Sequence, residues 1–128
     1  MRIVSLVPSL TELLSDLGLD EELVGLTTFC VRPEGWRETK RRVGGTKDVR
    51  VERVRELAPT LILANKEENV REQVEALMAT ATVEVTDVAT LGEACAMVRR
   101  VGSLVERATR ADALAREGEA GFDALPAF

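Results

Sequence analysis

The sequence predicts an α/β fold, an open parallel sheet of about four strands flanked by helices, on three observations. Short, mostly apolar runs recur at residues 3–7, 23–27 and 61–64, as expected of strands covered on both faces. Between them, apolar residues fall at helical spacing, as in Leu10, Leu13, Leu14 and Leu17, which gives each helix one stripe to lay on a sheet. The two patterns alternate along the chain, and right-handed crossovers that return each helix to a sheet face make such alternation a parallel sheet.

Residues 3–7 form the first buried strand, and Pro8 ends it. Ser9-Leu10-Thr11-Glu12 fits a capping box, with Ser9 accepting from the amide three residues on and Glu12 reaching back. Gly18 is placed to close this helix. Residues 23–27 make the second strand. Residues 28–48 then carry Pro33, Gly35, Gly44 and Gly45 with little periodicity, and a loop that long inside a compact domain is uncommon and often functional. Val51, Val54, Leu57 and Ala58 mark a helix that Pro59 terminates, before the strand at 61–64.

Asn65 is positioned to cap a helix carrying Val70, Val74, Leu77 and Met78 on one face, and residues 83–86 form the last strand. Thr90-Leu91-Gly92-Glu93 repeats the capping box. Its helix is expected to bury Leu91, Cys95, Val98, Val101 and Val105, with Arg99, Arg100 and Glu106 in water. Residues 108–125 read as a weaker helix with Ala111, Leu114, Ala115, Phe122 and Leu125 on one side, since Gly118 and Gly121 each cost about 1 kcal/mol relative to alanine.

With 128 residues, 45% of them hydrophobic, the chain is the size of one domain or one lobe of a larger one. A net charge of −5 argues against nucleic acid as a partner, because general binding there relies on cationic surface that displaces counterions. The charge is uneven: residues 32–55 hold nine basic and four acidic side chains, which is either a solvated basic loop or an anion-attracting rim. Cys30 and Cys95 stand far apart and there is no histidine, so zinc sites built on cysteine pairs or imidazole are excluded, as are serine–histidine and cysteine–histidine nucleophiles. Val43-Gly44-Gly45-Thr46-Lys47 lacks the frame that wraps nucleotide phosphates, and no dinucleotide fingerprint follows any strand. One arginine and six mostly apolar residues before Pro8 read as a strand and not as an export signal, and no run reaches the ~18 apolar residues of a membrane span.

Ligands of open parallel sheets bind outside the carboxyl ends of the strands. Pro8-Ser9, Thr28-Phe29, Gly44-Gly45 and Asn65-Lys66 fall there, with a helix N-terminus at the first turn. Phe29 and Trp36, two of four aromatics, lie in the long loop, where a ring either stacks on a flat ligand or plugs the core beneath. Asp87 and the pair Glu67-Glu68 have ordinary roles as turn former and first-turn helix acids. An alternative function is a small cytosolic α/β enzyme or redox protein in which Cys30 is a reactive thiol and the basic loop grips an anionic substrate.

The stretches RIVSLVPSLTELL, LVGLTTF, VERVRELAPTLILA, NVREQVEAL and VEVTD resemble, in order and spacing, the N-terminal lobe of the helical-backbone (class III) substrate-binding proteins of ABC transporters. That group binds cobalamin, ferric siderophores and heme, and the cobalamin branch is the nearest. The resemblance implies a Rossmann-like lobe over residues 1–108, the start of a long inter-lobe helix over 109–128, and a second lobe that this chain lacks. It implies a binding function without catalysis or cofactor: the substrate-binding component of an importer for a corrinoid or a ferric siderophore or heme-type chelate, with an ABC permease as partner and a second lobe or self-association completing the cleft. The family's location is extracytoplasmic, which the missing export signal sets against a cytoplasmic one. Carried over by position, Pro8, Ser9, Phe29, Cys30, Arg32, Thr46 and Lys47 line the ligand cleft, and Glu52 docks on arginines of the permease. Phe29 stands where cobalamin binders place a tyrosine, and Thr46 where they place a tryptophan. Arg32 stands where one subgroup is expected to carry histidine, and its guanidinium suits a carboxylate or phosphate.

Overall fold

The computed structural model describes all 128 residues, which form two compact units, Met1–Asp87 and Val88–Phe128. The first contains β1 (Ile3–Ser5), α1 (Pro8–Asp16), β2 (Leu23–Leu26), α2 (Trp36–Thr39), β3 (Arg41–Arg42), α3 (Val51–Glu56), β4 (Leu61–Asn65), α4 (Arg71–Leu77) and β5 (Thr82–Thr86). Its sheet is parallel throughout, in the order β3-β2-β1-β4-β5. The α/β class and the parallel sheet are as the sequence predicts.

The sheet has five strands where the sequence indicates about four. The additional one, β3, lies inside the segment read as a structureless loop and pairs Arg41 and Arg42 with Gly25 and Leu26. Both arginines are exposed, so no apolar run announces the strand, and a short, charged strand is what a protected sheet edge requires. The central strands are the reverse: every residue of β1 and all but the last of β4 are buried. Leu10, Leu13, Leu14, Val54 and Leu77 supply the buried helical stripes.

Two helix starts differ from expectation. α1 begins at Pro8, with Val7 at the N-cap and no side-chain cap. Proline's fixed φ suits the first helical position, and its missing N–H would be unpaired there anyway, so Ser9 is already inside the helix and cannot cap it. Asn65 accepts from the amides of Glu67 and Glu68 (2.8 and 3.1 Å), which closes a local turn, and α4 starts later with Val70 as its uncapped N-cap. The end of α1 is as expected, with Gly18 at φ +75° and its amide on the Ser15 carbonyl.

The second unit pairs α5 (Leu91–Leu104) with α6 (Ala108–Glu119). The capping box of Thr90 and Glu93 forms as predicted. Cys95, Val98, Val101, Val105, Ala111, Leu114 and Ala115 are buried. A Cβ at Gly102 would lie 2.2 Å from that of Ala111, and one at Gly118 would lie 3.6 Å from the Cys95 sulfur, so the helices run antiparallel at close approach. Leu91 is 57% exposed, contrary to the sequence reading, because α6 stops opposite Cys95 and Leu91 lies a turn beyond. Phe122 is likewise 71% exposed. The amides of Gly121 and Phe122 fold back on the carbonyls of Gly118 and Glu117, which ends the helix and takes Phe122 out of its phase. Leu125 covers Gly118 instead.

Arg99 ties the pair together from the outside. It donates to Asp112 (2.9 Å) and, through both terminal nitrogens, to Glu119 (3.0 and 2.8 Å), and Arg116 joins Asp112. Hydrogen bonding from Arg99 holds the carboxyls of Asp112 and Glu119 below their ordinary values. No helix of the chain is long and apolar enough to cross a membrane.

Candidate ligand-binding edge of the sheet

The strand order sets where a ligand can enter. The chain begins at the centre with β1, moves outward to β2 and β3, then crosses to β4 and β5 on the other side. The loops leaving β1 and β4 therefore part at their carboxyl ends, the place where open parallel sheets bind ligands. Four segments meet along this edge: the Leu6–Pro8 turn, the segment after β2, residues 44–49 after β3, and residues 66–69 after β4.

Hydrogen bonds join these segments one to the next. The Thr28 amide donates to the Gly44 carbonyl (2.9 Å), linking the segments after β2 and β3. Residues 44–49 double back on themselves, with an antiparallel bridge between Gly44 and Val49. Gly44 has φ +104°, and a Cβ there would lie 2.3 Å from the Asp48 carbonyl oxygen, so the turn requires glycine. The Gln73 side chain accepts from the Val49 amide (3.0 Å). Asn69 then spans the switch point. Its Nδ2 donates to the carbonyls of Leu6 (3.1 Å) and Thr46 (3.0 Å), while its Oδ1 accepts from the Asn65 amide (2.8 Å).

Of the residues read from sequence, Pro8 and Ser9 are half-buried in the first turn of α1, and Thr46 is half-buried at the tip of the 44–49 loop. Asn69 connects these two segments. Phe29 is 61% exposed, and its ring leans on Gly45, where an added Cβ would come within 3.1 Å of it. The ring is thus a surface feature and not a plug in the core. Val31 beside it is also exposed. Arg32 and Lys47 are exposed cations at the same edge, and the Lys47 ammonium donates to the Glu67 carbonyl.

Cys30 is placed differently. It is fully buried, with its sulfur 3.1 Å from the Thr11 hydroxyl and 3.2 Å from that of Thr27. Thr11 in turn donates to Ser5 Oγ or the Val7 carbonyl. The thiol anchors the root of the Phe29 segment beneath the surface, whereas a reactive cysteine needs partial exposure and an electropositive setting. Glu52 is exposed in the first turn of α3 and pairs with Arg55 one turn on. It is not joined to the cluster. The sequence reading passed over Asn69, whose only sequence signal is a polar residue just before a helix, the pattern of an ordinary cap.

Comparison with known proteins bears on the family and the fold. The family model described as periplasmic binding protein matches residues 3–125. An uncharacterized ABC transporter substrate-binding lipoprotein of Bacillus subtilis (strain 168) is 40% identical over 65 residues, which are 51% of this chain and 20% of that protein. A periplasmic heme-binding protein from Pseudomonas aeruginosa superimposes with a TM-score of 0.85 at 24% identity, over 93% of this chain and 43% of its own. The periplasmic vitamin B12-binding protein of Vibrio cholerae gives a TM-score of 0.81 at 24% identity, over 93% and 47%. At that identity the two structures speak for the fold, and the chain spans less than half the length of either.

Proposed function

The chain belongs to the periplasmic binding protein family, and from that premise we propose that it acts as the N-terminal lobe of an ABC importer's substrate-binding protein for a corrinoid or a ferric siderophore or heme-type chelate. The carrying observation is the exposed ring of Phe29, leaning on Gly45 beside Val31, with the cations Arg32 and Lys47 at the same edge. An exposed aromatic face suits a flat macrocycle. Cations beside it suit the carboxylate or phosphate groups that such ligands carry at their periphery. The names of the similar proteins support the same ligand class.

The role is binding, not catalysis. Pro8, Ser9, Phe29, Arg32, Thr46 and Lys47 receive the ligand, and buried Cys30 supports the Phe29 segment from below. A second lobe covers the other side of the ligand, and closure of the two lobes reports occupancy to the permease through differential affinity for the closed state. Glu52 is the docking residue, and on docking it exchanges Arg55 for arginines of the permease.

The test is an equilibrium titration of the chain with cyanocobalamin, hemin and a ferric siderophore, followed by the fluorescence of Trp36, the sole tryptophan. Saturable quenching by one of the three is expected, with affinity falling about tenfold in Phe29→Ala, equivalent to about 1.4 kcal/mol of lost stacking. Absence of saturable quenching by all three would overturn the reading of this edge as a ligand site.

A further inference from the structure

We propose that Asn69 is the positioning residue of the ligand edge: its carboxamide, without touching ligand, fixes the turn after β1 and the tip of the 44–49 loop in the arrangement that receives the ligand. This inference rests on the reading of that edge as the ligand side and deepens it. Asn69 is 5% exposed, so its amide faces protein and not the cleft.

All three of its hydrogen bonds go to backbone, and each goes to a different segment: the Leu6 carbonyl after β1, the Thr46 carbonyl after β3 and the Asn65 amide at the end of β4. The orientation of the amide is determined by these partners. Turned over, its oxygen would face two carbonyls and its nitrogen an N–H. Two donors and one acceptor at this length are a combination no other side chain offers: aspartate has acceptors only, leucine has the shape without the polarity, and glutamine is a methylene longer.

The 44–49 loop depends on this tie at one particular place. Its base is held by the Gly44–Val49 bridge, the Thr28 amide and the Gln73 side chain. Its tip, which carries both Thr46 and Lys47, is held by Asn69 on the Thr46 carbonyl, by the exposed Lys47 ammonium on the Glu67 carbonyl and by a long bond (3.5 Å) from Gln73 Nε2 to the Lys47 carbonyl. Of the three only the Asn69 bond is part-buried, and a carbonyl with less access to water loses more when its donor is removed. The two candidate ligand residues at the tip are therefore placed from the far side of the switch point. Charged neighbours of Asn69 are Lys66, Arg71 and Glu75, which line the groove beside it, and Lys47 with Glu67 at the loop tip.

The test is amide hydrogen exchange of the full chain at about pH 8 and about pH 5, corrected for intrinsic rates, on wild type, Asn69→Asp and Asn69→Leu. At the higher pH the aspartate is ionised and sets a carboxylate against two carbonyls; burial against those carbonyls disfavours the charged form, so that protonation sets in towards the lower pH and regains one donor. Residues 44–49 are expected to exchange about tenfold faster in the aspartate variant at the higher pH and to recover most of their protection at the lower, while the leucine variant is fast at both. Exchange in α5 and α6 stays as in wild type. Equal protection of the loop in all three proteins overturns the proposal, and so does faster exchange spread through β4, α5 and α6, which would make Asn69 a residue of general stability.

A hemin titration of the same variants adds an independent readout. Weakening of about tenfold in Asn69→Leu supports the positioning role, and unchanged affinity overturns it. A wild type that binds none of hemin, cyanocobalamin and the siderophore refutes the ligand reading, with the exchange comparison still deciding what Asn69 does.

Discussion

The two units hold themselves together by different means. In Met1–Asp87 the centre is a sheet of large aliphatic side chains, with Ile3, Val4, Ile62 and Leu63 fully buried, and the loops at its carboxyl edge are joined by hydrogen bonds to backbone. In Val88–Phe128 two helices meet through small residues, Gly102 against Ala111 and Gly118 beside Cys95, and are clasped outside by Arg99, Asp112, Glu119 and Arg116. Burial of large side chains scales with area removed from water and tolerates no void. Close helix contact depends instead on the absence of a few atoms. The first arrangement gives a rigid base on which loops can be varied and still be held, which is what a binding edge requires.

The largest effect should come from removing bulk at the sheet centre. Leu63→Ala leaves a cavity where the side chain was fully buried, and a loss of about 3 kcal/mol is expected in urea denaturation. A loss below about 1 kcal/mol would mean that β4 relaxes into the void and that the sheet is less rigid than its burial implies.

Adding bulk to the helix pair tests the opposite rule. In Gly102→Ala the new methyl would overlap Ala111 at 2.2 Å, so the helices must part, at an expected cost of about 2 kcal/mol. Amide exchange should rise in α5 and α6 and not in β1 or β4. Equal acceleration in both units would erase the distinction drawn between them.

The smallest effect is that of the ionic clasp. Because Arg99 holds Asp112 and Glu119 below their ordinary pKa values, their contribution is complete above the usual carboxylate range, around pH 4, and is lost as pH falls through the lowered values. The groups are exposed, so solvent screening keeps the loss small. It should vanish in Arg99→Gln, whose stability between pH 6 and pH 3 should fall less steeply than that of wild type. An identical pH dependence in the two proteins would show that the clasp contributes nothing measurable.

The parts of this molecule that were legible in its sequence are those whose signal is local. The buried strands announced themselves because both faces are covered, so 3–7, 23–27 and 61–64 read as apolar runs, and the strands at 3–5, 23–26 and 61–65 fall on them. The Thr90–Glu93 capping box and the Gly18 helix stop were legible because each acts within one turn. β3 was not, since an edge strand of two arginines is defined only by the partner it finds. Leu91 and Phe122 fit the helical period in the sequence yet face solvent, because the period tells neither where the opposing helix ends, which exposes Leu91, nor where a residue's own helix stops, which exposes Phe122.

The same division runs through the candidate site. Pro8, Ser9 and Phe29 could be named from their places after strands, and Thr46 and Lys47 only from the family resemblance; all five lie at the carboxyl edge of the sheet. Cys30 is adjacent in sequence to Phe29 and points the other way, into the core. Asn69 carried no distinctive signal, because its three partners come from residues 6, 46 and 65, and nothing in the linear order sets them within reach of one amide.

By itself the sequence determined the fold class, because periodicity, turn residues and strand ends are properties of short stretches, and it pointed to the family through the order and spacing of a few such stretches. The tertiary structure alone decided which side chains at that edge face outward, how the loops are held to one another and where each helix loses its cover. Those depend on contacts between residues distant in the chain, which are made only once the sheet has closed its order and each backbone donor has found its acceptor.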